Sequence, residues 1–421
     1  MTGVVITGVG LVSGLGLDTE SHFQRLLAGD CALRLMEPLG QSFPRMFEAA
    51  VPAFDRRASV ETRVLRRALS DAACFGMIAA RSALASAQLL DDARLRAAGL
   101  FVGSVCLEAT SEMLAPALRE STDAKGLFDQ VRFGEHGINL IDPLFLVRSL
   151  PNAGIGGIAI EHQLLGPNLN LTNGPVSGLQ AVIAAASAIE RGEIEIAIAG
   201  AYDTTRQFDA IVEHHLNGRL AGDAVEPSEA CRPFDPYSRG YGLGEGAAFV
   251  VLESEKTARQ RGAPLLASVL GFADQCWATI LDAVNGENPN SDSLLRAARG
   301  ALDHAGYTAQ QVGLVSGDAL GVPVDDQREA AVFGELFASG TRFFGATPAF
   351  GFMGSAASAF NLAHGALALS RRVVPPTLNG ARRPGVSLGP LTERDPALDH
   401  VLCWCSERGI KSSAVLLGAT S

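Results

Sequence analysis

The sequence predicts an α/β protein made of two similar halves, each a parallel sheet covered by helices. Three observations lead to that class. Short β-branched runs alternate with helix-length apolar segments along the chain, the pattern that parallel strands with helical crossovers produce. A weak internal duplication is visible, in which a helix-then-strand unit and an apolar central helix each occur twice. Finally, 421 residues with 47% hydrophobic content, 46 glycines and 19% charged residues describe a folded chain with tight turns that is too long for one small core.

Residues 4–16, VVITGVGLVSGLG, read as a first strand and a glycine turn; they lack the basic start of a signal peptide. Residues 62–84 place Val64, Leu65, Ala68, Ala72 and Phe75 at helical spacing and lead to a strand at 99–104. The stretch 168–203 runs strand, tight turn, helix, strand. Its helix carries Val182, Ile183, Ala186 and Ile189 among alanines, apolar on nearly every side and therefore buried. Gly192 stops it, and Ile194, Ile196 and Ile198 form a buried strand. The charged connector ESEKTARQRGAP then divides the halves, 1–258 and 259–421. In the second half Leu294, Leu295, Ala298, Leu302 and Ala305 repeat the helix before a strand at 313–318, and 354–370 is the partner of the central helix.

A formal charge of −11 argues against nucleic acid or an anionic membrane as partner and makes an acidic carrier protein an awkward client unless a local basic patch or a second subunit receives it. No apolar run reaches the roughly 20 residues that span a bilayer. Seven cysteines without paired spacing fit a reducing compartment, so the expected location is cytoplasmic. Cys403 and Cys405 have no CxxC or histidine context, His214 and His215 sit in the surface-like stretch EHHLNGRLAGD, and His162, His304 and His364 stand isolated. No metal and no cofactor is expected.

The chemistry centres on the turn Gly174-Pro175-Val176-Ser177-Gly178. A strand, a tight turn and a helix N-terminus are the arrangement that presents a nucleophile. The residue at its tip, Pro175, has no nucleophilic atom and no N–H, although its fixed φ suits a first helical turn. Ser177 beside it matches a helix-packing position, and GYGLGEG lacks the Lys-Ser/Thr of a phosphate loop and reads as a backbone-crowded turn.

LTNGPVSGLQA resembles the active-site elbow of the β-ketoacyl synthases, condensing enzymes of the thiolase superfamily, where a cysteine precedes SGLQA. VVITGVGLVSGLG, LFLVRSLPNAGIGGIAI, VVPPTLN and above all CRPFDPYSRGYGLGEGAAFVVLE, with Cys231 as a structural residue, are similar to further segments of that family in its order. The resemblance implies a five-layer αβαβα thiolase-like fold with two pseudo-repeated halves whose central helices pack back to back. It also implies a site of one cysteine, two histidines and a lysine, which hold the acyl chain and stabilise an enolate. Here the cysteine position is Pro175 and the first histidine position is Asp318. The second falls on Phe352, or on Met353 with a slip of one residue, and the lysine falls on Thr347 or Pro348. The family's closing glycine-rich loop is absent from SSAVLLGATS, where Val415, Leu416 and Leu417 stand instead.

With four positions vacated and the scaffold motifs kept, no condensing or malonyl-decarboxylating activity is expected from this chain alone. The resemblance then implies a chain-length factor, the inactive subunit that heterodimerises with an active β-ketoacyl-ACP synthase in type II polyketide and aryl-polyene systems. Many such subunits carry glutamine where this elbow carries proline. The acyl carrier protein would be met through the active subunit. By family position Cys106, Leu107, Met113, Phe133 and Leu146 would line the tunnel, or serve as ordinary apolar contacts between subunits. Two other readings stand beside this one: a standalone homodimeric acyl-binding or scaffolding protein, and an enzyme of repurposed chemistry with Asp318 as general base.

Overall fold

The computed structural model describes residues 2–39, 43–105, 110–222, 226–276, 292–337, 340–380, 386–389 and 391–420. Ten strands carry the architecture: β1 (Val4–Val12), β2 (Gly99–Gly103), β3 (Asn168–Leu171), β4 (Ile196–Thr204), β5 (Leu243–Ser254), β6 (Ala267–Cys276), β7 (Leu314–Gly317), β8 (Arg342–Gly345), β9 (His400–Glu407) and β10 (Lys411–Gly418). The first five lie in the order β3-β2-β4-β5-β1 and the last five in the order β8-β7-β9-β10-β6. The two sets join where Val4 to Ile6 of β1 pair antiparallel with β6.

The duplication is borne out pairing by pairing. β2 runs parallel to β3 and to β4, as β7 does to β8 and to β9. β4 is antiparallel to β5 and β5 to β1, as β9 is to β10 and β10 to β6. The expectation of wholly parallel sheets is therefore corrected to mixed ones. The reason is plainest in the second half, where β9 and β10 are joined by a short turn, and a short turn can only reverse the chain.

The helices that frame the sheets and the site are α1 (Asp71–Ser86), α2 (Thr110–Glu120), α3 (Gln130–Glu135), α4 (Phe145–Ser149), α5 (Ser177–Glu190), α6 (Phe208–Leu216), α7 (Asp292–Ala305), α8 (Pro323–Leu336) and α9 (Ala357–Arg371). α1 and α7 cover the outer faces of their halves, while α5 and α9 pack against each other between the sheets. Their approach is close: Leu179 N donates to Ser358 Oγ at 3.0 Å, and a Cβ at Gly178 would meet Ala359 N at 2.6 Å. Helix, sheet, paired central helices, sheet and helix make the five-layer αβαβα thiolase-like fold. The central layer holds the largest cluster of buried side chains, with Val182, Ala186 and Ile189 of α5 beside Phe360 and Leu362 of α9.

Two local expectations change. The helix expected over 62–84 is broken, because Ser70 turns extended and its Oγ accepts from Ala73 N at 3.1 Å, starting α1 afresh. Val64, assigned to the apolar face, lies on the preceding short helix and is 73% exposed. GYGLGEG is crowded as expected, but from Leu243 onward it is the start of β5 and not a turn. Among the described residues no helix is long and apolar enough to cross a membrane.

Candidate functional site

After β3 the chain turns at Gly174, whose φ of +70° favours glycine, and Pro175 opens the short 3-10 turn Gly174–Val176 that runs into α5. Asn173 N donates to Ser177 Oγ at 2.8 Å, so that hydroxyl is buried and engaged inside the elbow, as the sequence implied. The half-buried Pro175 ring faces a cavity of about 440 Å³. Asp318, from the end of β7, and Phe352, from the turn before α9, line the same cavity. Three of the positions singled out in the sequence thus meet in one place, although more than 170 residues separate the first from the last.

Asp318 is fixed rather than free. Its Oδ1 accepts from Asn361 Nδ2 at 3.0 Å and its Oδ2 from Ser406 N at 2.8 Å. Burial, reinforced by the neighbouring Glu329 charge, pushes its carboxyl well above the usual range. Glu329 itself accepts from Asp318 N, Ala319 N and Trp404 Nε1 at 2.8, 3.0 and 2.7 Å. The raised pKa that a general base would need is present, but both oxygens of Asp318 are occupied by structural donors. Thr347 stands behind, its Oγ1 donating to the Asp318 carbonyl at 2.7 Å, and carries no charge toward the cavity. Pro348 is buried in the same short helix.

Phe352 sits between Gly351 and Gly354, both at positive φ. Its carbonyl accepts from Gly244 N and Thr205 Oγ1, each at 3.0 Å, and its ring packs 4.6 Å from Tyr241 and 5.6 Å from His214. Met353 turns into the central core. Val415, Leu416 and Leu417, expected in place of a closing loop, are fully buried in β10. The segment that closes over the cavity is the turn from β9 to β10, which contributes Ser406, Glu407, Arg408 and Lys411.

The cavity wall also holds residues that the sequence did not reveal. Asp203 ends β4 buried, with Thr204 N donating to Oδ1 at 2.8 Å and Ser355 N to Oδ2 at 2.7 Å. Desolvation outweighs those bonds and raises its carboxyl to about 6. His214, assigned to a surface-like stretch, instead lines the cavity from α6, with Nδ1 3.1 Å from the Tyr241 hydroxyl. Burial, aided by Arg219 and Arg408, lowers its pKa to about 4. Ile211, buried three residues earlier on the same helix face, was the available signal. His364 is not isolated either: in the core its Nε2 lies 2.8 Å from Nε2 of His22, whose Nδ1 is 2.7 Å from Ser13 Oγ. Burial keeps both imidazoles neutral.

Cys106 and Leu107 lie outside the described residues. Met113 on α2 and Phe133 on α3 are half-buried, and Leu146 on α4 is 71% exposed. None of these three lines the cavity around Pro175.

Known proteins share this architecture. The chain matches the family model "Beta-ketoacyl synthase, N-terminal domain" over residues 1–258 and "Beta-ketoacyl synthase, C-terminal domain" over residues 276–381. The chloroplastic 3-oxoacyl-[acyl-carrier-protein] synthase I of Arabidopsis thaliana is 30% identical over 348 residues, 80% of this chain and 68% of that protein. A protein of Streptomyces rimosus named for an oxytetracycline polyketide β-ketoacyl synthase is 29% identical over 427 residues, 98% of this chain and 96% of its own length. Among solved structures, the ishigamide ketosynthase/chain length factor superposes with a TM-score of 0.83 over the full length of both chains at 24% identity, a likeness of fold. The chain belongs to the β-ketoacyl synthase family.

Proposed function

We propose that this chain is the non-catalytic chain-length factor of a type II polyketide or polyene system, and that it heterodimerises with an active β-ketoacyl synthase and shapes the tunnel in which that partner's acyl chain grows. The observation that carries the reading is Pro175: the elbow is built, and the residue on it cannot attack a thioester. Asp318 and Phe352 in the same cavity support it, because a carboxyl bound to structural donors and a phenyl ring cannot replace two hydrogen-bond-donating imidazoles.

The surface supports a partner. Phe128, Val131, Leu146 and Leu165 are exposed by 50, 67, 71 and 73%, around the segment that leads from α2 to β3. Strand β3 ends its sheet with no further strand on its outer side among the described residues. Exposed large apolar side chains and an open strand edge are surface that a lone chain ordinarily avoids. The proposed occupant is the active ketosynthase, and the paired naming of the ishigamide ketosynthase/chain length factor is in keeping with it. In this reading Cys106, Leu107, Met113, Phe133 and Leu146 border the partner's acyl chain, and the carrier protein delivers its cargo to the partner. Met113→Trp and Phe133→Ala test this in the reconstituted pair, with product length as the readout. A shorter product from the first and a longer one from the second are expected; unchanged length from an intact pair would contradict the assignment.

A further inference from the structure

The cavity beside Pro175 has kept a built hydrogen-bonding device that the lost condensation chemistry does not account for. Arg219 pairs with Asp325 at 2.8 Å, both largely buried, and its charge lies beside the Tyr241 hydroxyl. That hydroxyl lies 3.1 Å from His214 Nδ1. Arg219 carries only donors, so it presents N–H and positive charge to the Tyr241 oxygen, and His214 Nδ1 is the one acceptor within reach of the phenolic proton among the described residues. Tyr241 is buried and keeps its proton, burial having pushed its pKa up. The imidazole is therefore held as the neutral tautomer with its proton on Nε2. Among the described residues Nε2 has no protein partner and is not a buried orphan, so it is open to the space that His214 lines.

The remaining walls define what that N–H meets. Pro175, Val105, Leu320 and Phe352 supply apolar surface. The three cations on the wall are already matched with carboxylates: Arg219 with Asp325 at 2.8 Å, Arg408 with Glu213 at 3.6 Å and Lys411 with Glu407 at 3.6 Å. Asp203, buried on the same wall, has no cationic partner among the described residues and repels an anion. About 440 Å³ lies within the range of small-molecule sites, roughly 300–1,000 Å³.

We propose that the vacated cleft is a non-covalent binding site for a small neutral carbonyl compound, with its apolar body against Pro175 and Phe352 and its carbonyl oxygen accepting from His214 Nε2–H. Tyr241 and Arg219 act as positioning residues that set the tautomer. A neutral imidazole donor suits an uncharged carbonyl, whereas an imidazolium would favour an anion.

Three probes of one chain length test the proposal on the chain as purified: hexanamide, hexanoate and hexylamine, followed by titration calorimetry and by ¹⁵N NMR of the histidine rings. The free protein should show His214 protonated at Nε2 alone, and hexanamide should bind saturably and shift that signal. His214→Ala should weaken hexanamide by about tenfold, the loss of one hydrogen bond, and the neighbouring His215→Ala should not. Tyr241→Phe should give a mixed-tautomer ¹⁵N pattern and a smaller loss of binding. Absence of saturable hexanamide binding, equal affinity in His214→Ala, a proton on Nδ1 in the wild type, or tighter binding of hexanoate or hexylamine would each overturn it.

Discussion

Pro175 lies on a half-buried wall at the start of a buried helix, where a side chain would be well placed to react if it had anything to react with. Restoring a thiol there should not restore an enzyme. A cysteine at 175 faces Asp318, whose oxygens are occupied, and Phe352, which donates nothing, so the two imidazole donors that the family's condensation uses at those positions are missing. Pro175→Cys is expected to leave malonyl-thioester decarboxylation at background; turnover from that variant alone would contradict the proposed role. The buried carboxylates make a second prediction. Asp203 at about 6 and Asp326 at about 8 are both raised chiefly by desolvation, above the roughly 3.9 of an unfolded chain. Their contribution to stability is complete below the unfolded value and is lost as pH rises through the folded values. The buried neutral histidines His22, His214 and His364 act in the opposite sense up to the roughly 6.5 at which an unfolded imidazole loses its proton, so Tm should fall between about pH 6.5 and about pH 8, as followed by scanning fluorimetry, and a flat or rising profile over that window would contradict it. Pro175 and Asp318 were legible in the sequence because each sits inside a recognisable motif. Asp203 and His214 were not, since what makes them cavity residues is the approach of Ser355 and Tyr241 from distant parts of the chain.

At the scale of elements, the turn that carries Phe352 depends on glycine. A Cβ on Gly354 would meet Asp203 Oδ2 at 2.4 Å, at a φ of +53° that disfavours any L side chain. Gly354→Ala is expected to cost roughly 1–3 kcal/mol, measurable by urea unfolding. On the outer face the expectation reverses. Leu146 is 71% exposed, so Leu146→Asp should change the isolated chain's stability by no more than about 0.5 kcal/mol while abolishing partner capture. The central helix, its partner and both sheets were readable from apolar runs, because burial on all sides leaves a periodic signature in sequence. The break before α1 was not, because Ser70-Asp71 is a helix start read through as part of one long apolar pattern. The antiparallel strands were missed for another reason: a strand's direction is set by its connection, and apolar periodicity does not report direction.

For the whole molecule, the matching pairings of β1 to β5 and β6 to β10 show two copies of one topology sharing a central helix layer. Such a core does not depend on the residue at the elbow, which on the proposed function is how the fold persists without condensing chemistry of its own. On the proposed function, this chain works only beside an active partner. The most direct measurement is native mass spectrometry of the chain co-expressed with an active β-ketoacyl synthase of the same organism, with condensation assayed for each chain alone and for the pair. A one-to-one heterodimer that condenses, from a chain inert alone, is the predicted result; a stable homodimer that ignores the ketosynthase would contradict it.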